Sequence, residues 1–434
     1  MINIAKKAVG ILLPLAALSM MVHGQNVPAV TAPAAYQGFS LPDVPGTLHF
    51  GLTATQGLRT GYYLNSGNVY TTGVSADLGY LSQSTARPFS ATYSGGYLHN
   101  TSGQPASLFQ NLALSQTFTT EYWNFGLSDS LNYLPEAAAG GLSGIPGVGD
   151  LGVATPPSPD PGQDILSRYG QRVANSATGT VGRKLTGSTS IQGSGTYFLQ
   201  RFLSASGGLD TDQESAQVNL NHRIDALNNT GGGYTFSRIT YPSAPDFSFI
   251  TQGLNVQYTR QWTRQVTTDV SIGPQRSTTA PITVGTVVRP GSSVINFSAN
   301  ASLSYIGERT SYGIDYSRGV RGGSGVVPGT ISDDVGLHAG RRIGSYAQLS
   351  AGGAYNHSKT LQILTPNQTS IQAIVGNVQA SRVITESLSG YISYGLQKQI
   401  IQGAALTFNG FGGLSQTASI GITYSPKPRH IGHP

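Results

Sequence analysis

Residues 47–59 read TLHFGLTATQGLR, and their alternation decides the fold. Leu48, Phe50, Leu52, Ala54 and Leu58 take every second place, and Thr47, His49, Gly51, Thr53, Thr55 and Arg59 fill the others. Successive side chains of an extended strand point to opposite faces, so this segment has one apolar wall and one polar wall. The design returns at 294–306, where Ile295, Phe297, Ala299, Ala301, Leu303 and Tyr305 alternate with Asn296, Ser298, Asn300, Ser302 and Ser304. It returns again at 414–424, with Leu414, Ala418, Ile420, Ile422 and Tyr424 against Ser415, Thr417, Ser419, Gly421 and Thr423. No stretch between these segments carries a helical period.

Working outward from them, eighteen strands can be read between residues 46 and 425. Most are longer than the usual ~5–6 residues and long enough to cross a bilayer at a tilt, which takes about 9–11. Their connectors sort by parity. Those after even-numbered strands are mostly tight (83–87, 121, 186–187, 263 and 384, with 225–230 the longest). Those after odd-numbered strands are mostly long (60–68, 99–106, 135–170, 203–212, 278–292, 321–330, 358–368 and 399–411, with 242–246 the shortest). A membrane barrel requires this pattern, with short periplasmic turns and long external loops, whereas a soluble sandwich has no reason for it. The fold class expected is therefore all-β, a transmembrane antiparallel up-and-down barrel of about 18 strands, with 16 as the alternative count.

Composition excludes other classes. Only 10% of residues are charged and 38% hydrophobic, both below the usual ~25% and ~45–50%. The net charge of +6 is scattered, with no Lys/Arg run longer than two, so no nucleic-acid partner is expected. The absence of Cys removes disulfides, thiolate metal sites and thiol catalysis. No HExxH, GxSxG, P-loop or dinucleotide fingerprint occurs, so the expectation is no enzyme, no cofactor and no metal. Gly231-Gly232-Gly233 reads as turn chemistry.

Residues 1–24 read as a cleaved signal peptide, with Lys6 and Lys7, an apolar run over 8–22 and a small-residue site before Gln25. Residues 25–45 form a Pro- and Ala-rich periplasmic extension, 46–425 the barrel and 426–434 a C-terminal tail. Tyr70 and Tyr80, Tyr93 and Tyr97, Trp123 and Tyr133, and Tyr312 and Tyr316 lie where an interfacial aromatic girdle would be; Tyr391 falls on the polar side.

Over residues 46–425 the chain resembles outer-membrane porins. The last strand, 417–424, is similar to the assembly signal of such barrels, though 425–434 follow it. Connector 135–170, after the fifth strand, looks like the inward-folded constriction loop of general porins. The resemblance implies outer-membrane lipid and the barrel-assembly machinery as partners, with a homotrimer as an option. It also implies passive diffusion of small hydrophilic solutes, neutral or sugar-like, through a polar lumen. Two alternatives are a conduit for exopolysaccharide export and a secreted β-rich adhesin.

By the same parity the inward-facing ionisable residues are His49, Arg59, Asp77, Arg172, Lys184, Arg223, Asp269, Asp315, Asp334, His338 and Arg342. Loop 135–170 adds Glu136, Asp150, Asp160, Asp164 and Arg168. The signs are mixed, so no strong charge selectivity follows from the wall alone. Asp129 and Arg183 fall on the lipid side, which calls for a place near the interface or a register-shifting bulge.

Overall fold

A computed structural model describes residues 46–61, 68–82, 84, 87–100, 107–134, 172–203, 208–244, 247–284, 287–323, 327–361, 369–403, 412–427 and 429–430. The strands are β1 (Thr47–Thr60), β2 (Val69–Leu81), β3 (Phe89–Asn100), β4 (Ser107–Thr119), β5 (Trp123–Leu134), β6 (Arg172–Lys184) and β7 (Thr189–Phe202). They continue with β8 (Thr211–Arg223), β9 (Asn228–Thr240), β10 (Ser248–Gln261), β11 (Val266–Thr279), β12 (Ile282–Val284), β13 (Val287–Arg289) and β14 (Ser293–Ile306). The last are β15 (Thr310–Arg321), β16 (Thr330–Ile343), β17 (Ala347–Thr360), β18 (Ser370–Thr385), β19 (Leu388–Gln402), β20 (Gly413–Tyr424) and β21 (Arg429–His430). No α-helix occurs among the described residues.

Each long strand pairs antiparallel with its chain neighbours, and the ring closes where β1 meets β20. Thr53 stands opposite Thr423, Thr55 opposite Gly421 and Arg59 opposite Thr417. Closure leaves no wall edge with unpaired backbone groups, the condition for a sheet to stand in hydrocarbon. Eighteen strands make the wall. β12 and β13 form a separate hairpin inside the connector after β11. β21 continues the edge of β1 beyond β20, pairing Thr47 with His430. Part of the stretch read as a plain tail thus returns to the sheet. The exposed Lys427, between β20 and β21, is bonded to Glu386 at 2.7 Å. Lys427 holds the Glu386 carboxyl below its ordinary pKa, chiefly through the hydrogen bond.

One rim carries the short turns, at 120–122, 185–188, 224–227, 262–265, 307–309, 344–346 and 386–387, with 82–88 the longest there. Both ends of the wall, Thr47 and Tyr424, lie on this rim too. The turns use local chemistry. Asp225 accepts the amide hydrogens of Leu227 and Asn228 at 2.7 and 2.8 Å, an Asx-type turn that lets β8 reverse into β9. Gly344 has φ +62, a left-handed backbone that a side chain would resist. The expected connector 225–230 shrinks because β9 begins at Asn228, and Gly231–Gly233 are strand residues rather than a turn. They serve as clearances: a Cβ on Gly233 would collide with the Asn219 and Asn255 side chains, and one on Gly231 with Gln257. Glycines within this strand make room for bulky amides on their neighbours.

The two faces of the wall are inverted relative to a soluble protein. Phe50 and Leu52 are 38% and 42% exposed, whereas Thr53 and Thr55 on the same strand are 5% and 7%. Phe297 and Leu303 on β14 are likewise exposed, at 49% and 45%. The sheltered side is rich in Thr, Ser, Asn, Gln and Arg. A sandwich would have turned these faces the other way and packed its apolar sides together. Tyr70, Tyr97 and Tyr312 point outward, while Tyr391 lies inside and its hydroxyl is 2.6 Å from that of Thr55. A closed wall with an apolar exterior is a membrane-spanning barrel, and the outer membrane is where such barrels reside.

Candidate functional site in the barrel lumen

Register carries one parity around the ring, so the inner face can be followed from strand to strand. Asp269 faces Ser302, Ser302 faces Asp315, and Ser317, two residues along β15, faces Asp334. On this face stand His49 and Arg59 on β1, Asp77 on β2, Arg172 and Lys184 on β6, and Arg223 on β8. Asp269 on β11, Asp315 on β15 and Asp334, His338 and Arg342 on β16 share it. Strand position sorts them by height. Arg59, Arg172 and Asp334 stand toward the long-loop rim, Asp315 and His338 near mid-height, and Lys184, Arg223, Asp269 and Arg342 toward the short-turn rim. Glu136, Asp150, Asp160, Asp164 and Arg168, with the whole proposed constriction loop, lie outside the described residues.

The structure brings some of these residues together. Asp334 bonds the guanidinium of Arg321 at 2.7 Å and accepts from Asn356 at 2.5 Å, with the Ser317 hydroxyl 3.3 Å away. Arg321 also donates to Ser317 at 2.7 Å. Next to this knot Ser332 and Ser358 share a 2.7 Å hydrogen bond. Lower down, His338 Nδ1 is 3.5 Å from Asp315, and its ring fills the space over Gly313, where a Cβ would collide with it. The Asp269 carboxylate accepts from the Thr259 hydroxyl. Among the described residues no three His, Cys, Asp or Glu side chains gather as a metal site.

Arg321 is an inner-wall charge that the sequence reading left out. A strand ended at residue 320 places it in a connector, although the parity 315, 317, 319, 321 points to it. Of the two charges assigned to the lipid side, Arg183 sits at the end of β6 with its guanidinium 4.8 Å from the centre of the Trp123 ring, an interfacial arrangement. Asp129 lies mid-strand and accepts from Asn175 at 2.8 Å. The β5–β6 register runs unbroken past both, so no bulge relocates them.

The upper lumen holds a second feature, made by connectors. Leu209 and Tyr241, from the connectors before β8 and after β9, pack with the inner-wall residues Ile239 and Phe249. The Tyr241 hydroxyl donates to the Gly322 carbonyl at 2.7 Å, joining the connector after β9 to the one after β15. Four strand spacings along the wall separate those connectors, so the contact ties together distant parts of the mouth. Leu361 donates its amide to Gly329, whose φ of +70 and close approach to the Phe249 ring leave no room for a side chain. Tyr241 is fully buried, and burial pushes its hydroxyl pKa up. A Tyr241→Ala variant is expected to widen the mouth, read as a larger single-channel conductance than that of the parent, with Tyr241→Phe between the two.

No protein-family model matches the chain, and no curated protein is similar to it. Among solved structures the chain is similar to OpdQ of Pseudomonas aeruginosa (11% identity, TM-score 0.42, covering 88% of this chain and 98% of that one). It is also similar to OccAB3 of Acinetobacter baumannii (9%, 0.43, 88% and 98%). A third is OccK2 (OpdF) of Pseudomonas aeruginosa in complex with glucuronate (10%, 0.43, 87% and 97%).

Proposed function

We propose that the barrel is an outer-membrane channel through which small hydrophilic, sugar-like solutes diffuse down their gradient without chemical change. The observation that carries this reading is the inverted wall. Hydroxyl, amide and charged groups line the inside, and the exposed Leu, Ile, Val, Phe and Tyr side chains of the strands line the outside. An 18-strand ring is wider than its own side chains can fill, so its interior admits water. Hydroxyls and amides exchange hydrogen bonds with water and with a sugar at similar energy, which favours passage over tight retention. Refolded protein added to a planar lipid bilayer is expected to raise the current in discrete steps. Bilayers that stay silent at every voltage and pH would refute the reading.

A further inference from the structure

Toward the short-turn rim the inner wall from β4 to β10 encloses a recess of about 720 Å³. Lys184 and Arg223 line it, together with the amides of Asn124, Asn221, Asn229 and Gln257, and no carboxylate does. Three other cations of the barrel hold acidic partners: Arg321 has Asp334, Arg201 has Asp212 and Arg318 has Asp333. Among the described residues neither Lys184 nor Arg223 has a carboxylate within ion-pair distance. Arg223 gives one N–H to the Gly187 carbonyl at 3.1 Å, and a guanidinium has five. Asp269, on β11, is engaged by the Thr259 hydroxyl and does not line the recess.

The strands set the spacing of the two cations. Lys184 faces Ser190 across the β6–β7 ladder, and Ser190 faces Asn221 across the β7–β8 ladder, two residues before Arg223. The backbones that carry Lys184 and Arg223 are therefore two strand spacings apart across the sheet and two residues apart along it, roughly 12 Å. Both side chains are long enough to converge on one anionic group placed between them. The amides and Ser190 around them present both donors and acceptors, suited to the hydroxyls of the same solute.

We propose that this recess is a binding site for hydroxylated solutes carrying one anionic group, a carboxylate or a phosphate, at the inner mouth of the channel. The site rests on the channel reading above and narrows its solute class. Two cations without an acidic counterpart attract the anion, and the amides orient its hydroxyls. Because the recess opens to the lumen, solvent screens the attraction and the solute leaves again, as transport requires.

The test is single-channel recording with gluconate, glucose 6-phosphate and glucose added to each side of the bilayer in turn. Both anions are expected to interrupt the open current, and glucose is not. One anion acting alone would support the site and identify its group as carboxylate or phosphate. Lys184→Gln and Arg223→Gln are each expected to shorten the interruptions about tenfold, the loss of one charge-assisted contact. Arg223→Lys should retain most of the effect, and Arg341→Gln, on the outer wall, all of it. A heat-modifiable gel shift confirms that each variant has folded. Open channels that neither anion interrupts, or a Lys184→Gln/Arg223→Gln double variant that still responds as the parent does, would overturn the site and leave the channel standing. Silent bilayers from the parent protein would instead remove the channel, and the site with it.

Discussion

A Leu254→Arg variant is expected to lose the folded barrel, while Asn255→Arg, one residue along, keeps it. Leu254 is at the middle of β10 and is 60% exposed on the outer face. Asn255 is on the inner face, where its side-chain amide donates to Ser271 Oγ at 3.1 Å. An arginine at the bilayer midplane of a β-barrel costs about 2–4 kcal/mol, falling to about 0–1 near the interfaces. That cost is a large share of the stability of an ordinary protein. The same arginine at 255 meets water and the inner-wall amides, and it loses only one side-chain hydrogen bond. The measurement is the unheated-versus-boiled gel shift after refolding into lipid vesicles. A folded band for Leu254→Arg as strong as for Asn255→Arg would mean that the outward face does not touch hydrocarbon, and the membrane barrel would fall.

Strand number, strand direction and the inside–outside sense of the wall were legible in the sequence because each depends on a period. A two-residue repeat carried over more than ten residues leaves little freedom in which side chains share a face. Ring closure then follows from the lack of any other way to satisfy edge strands in lipid. Connector lengths told which rim carries the turns for the same reason, since a tight reversal needs few residues and a specific local motif such as Asp225–Asn228. What lacked a period was not legible. The β12–β13 hairpin and the return of β21 to β1 depend on where a connector finds a partner. The apolar knot of Leu209, Tyr241 and Phe249 joins parts of the chain with no regular spacing between them. Gly231–Gly233 misled because glycine marks a turn in most settings, whereas here it clears space for Asn219, Asn255 and Gln257 inside a strand. Arg321 was missed through an error of one residue at a strand end, where a boundary is least marked.

The Arg321–Asp334 pair should dominate the stability of the upper wall. Their side chains are 7% and 10% exposed, so water screens the pair little. Removing one partner of a buried pair leaves the other charge without its main counterpart and typically costs 3–5 kcal/mol. Asp334→Ala is accordingly expected to lower the urea midpoint in vesicles more than any single Ser or Thr exchange nearby. It also releases Asn356, which donates to the same carboxylate. Arg321→Ala/Asp334→Ala should fall less than the sum of the two single variants, because the double change removes both charges and leaves neither stranded. Asp334→Asn should come between parent and Asp334→Ala, since an amide oxygen can still accept from Asn356 while the ionic attraction is gone. The order matters more than the size of any one step. If the double variant were as destabilised as the sum of the singles, Arg321 and Asp334 would be acting independently, and the pair would be a feature of proximity rather than of stability.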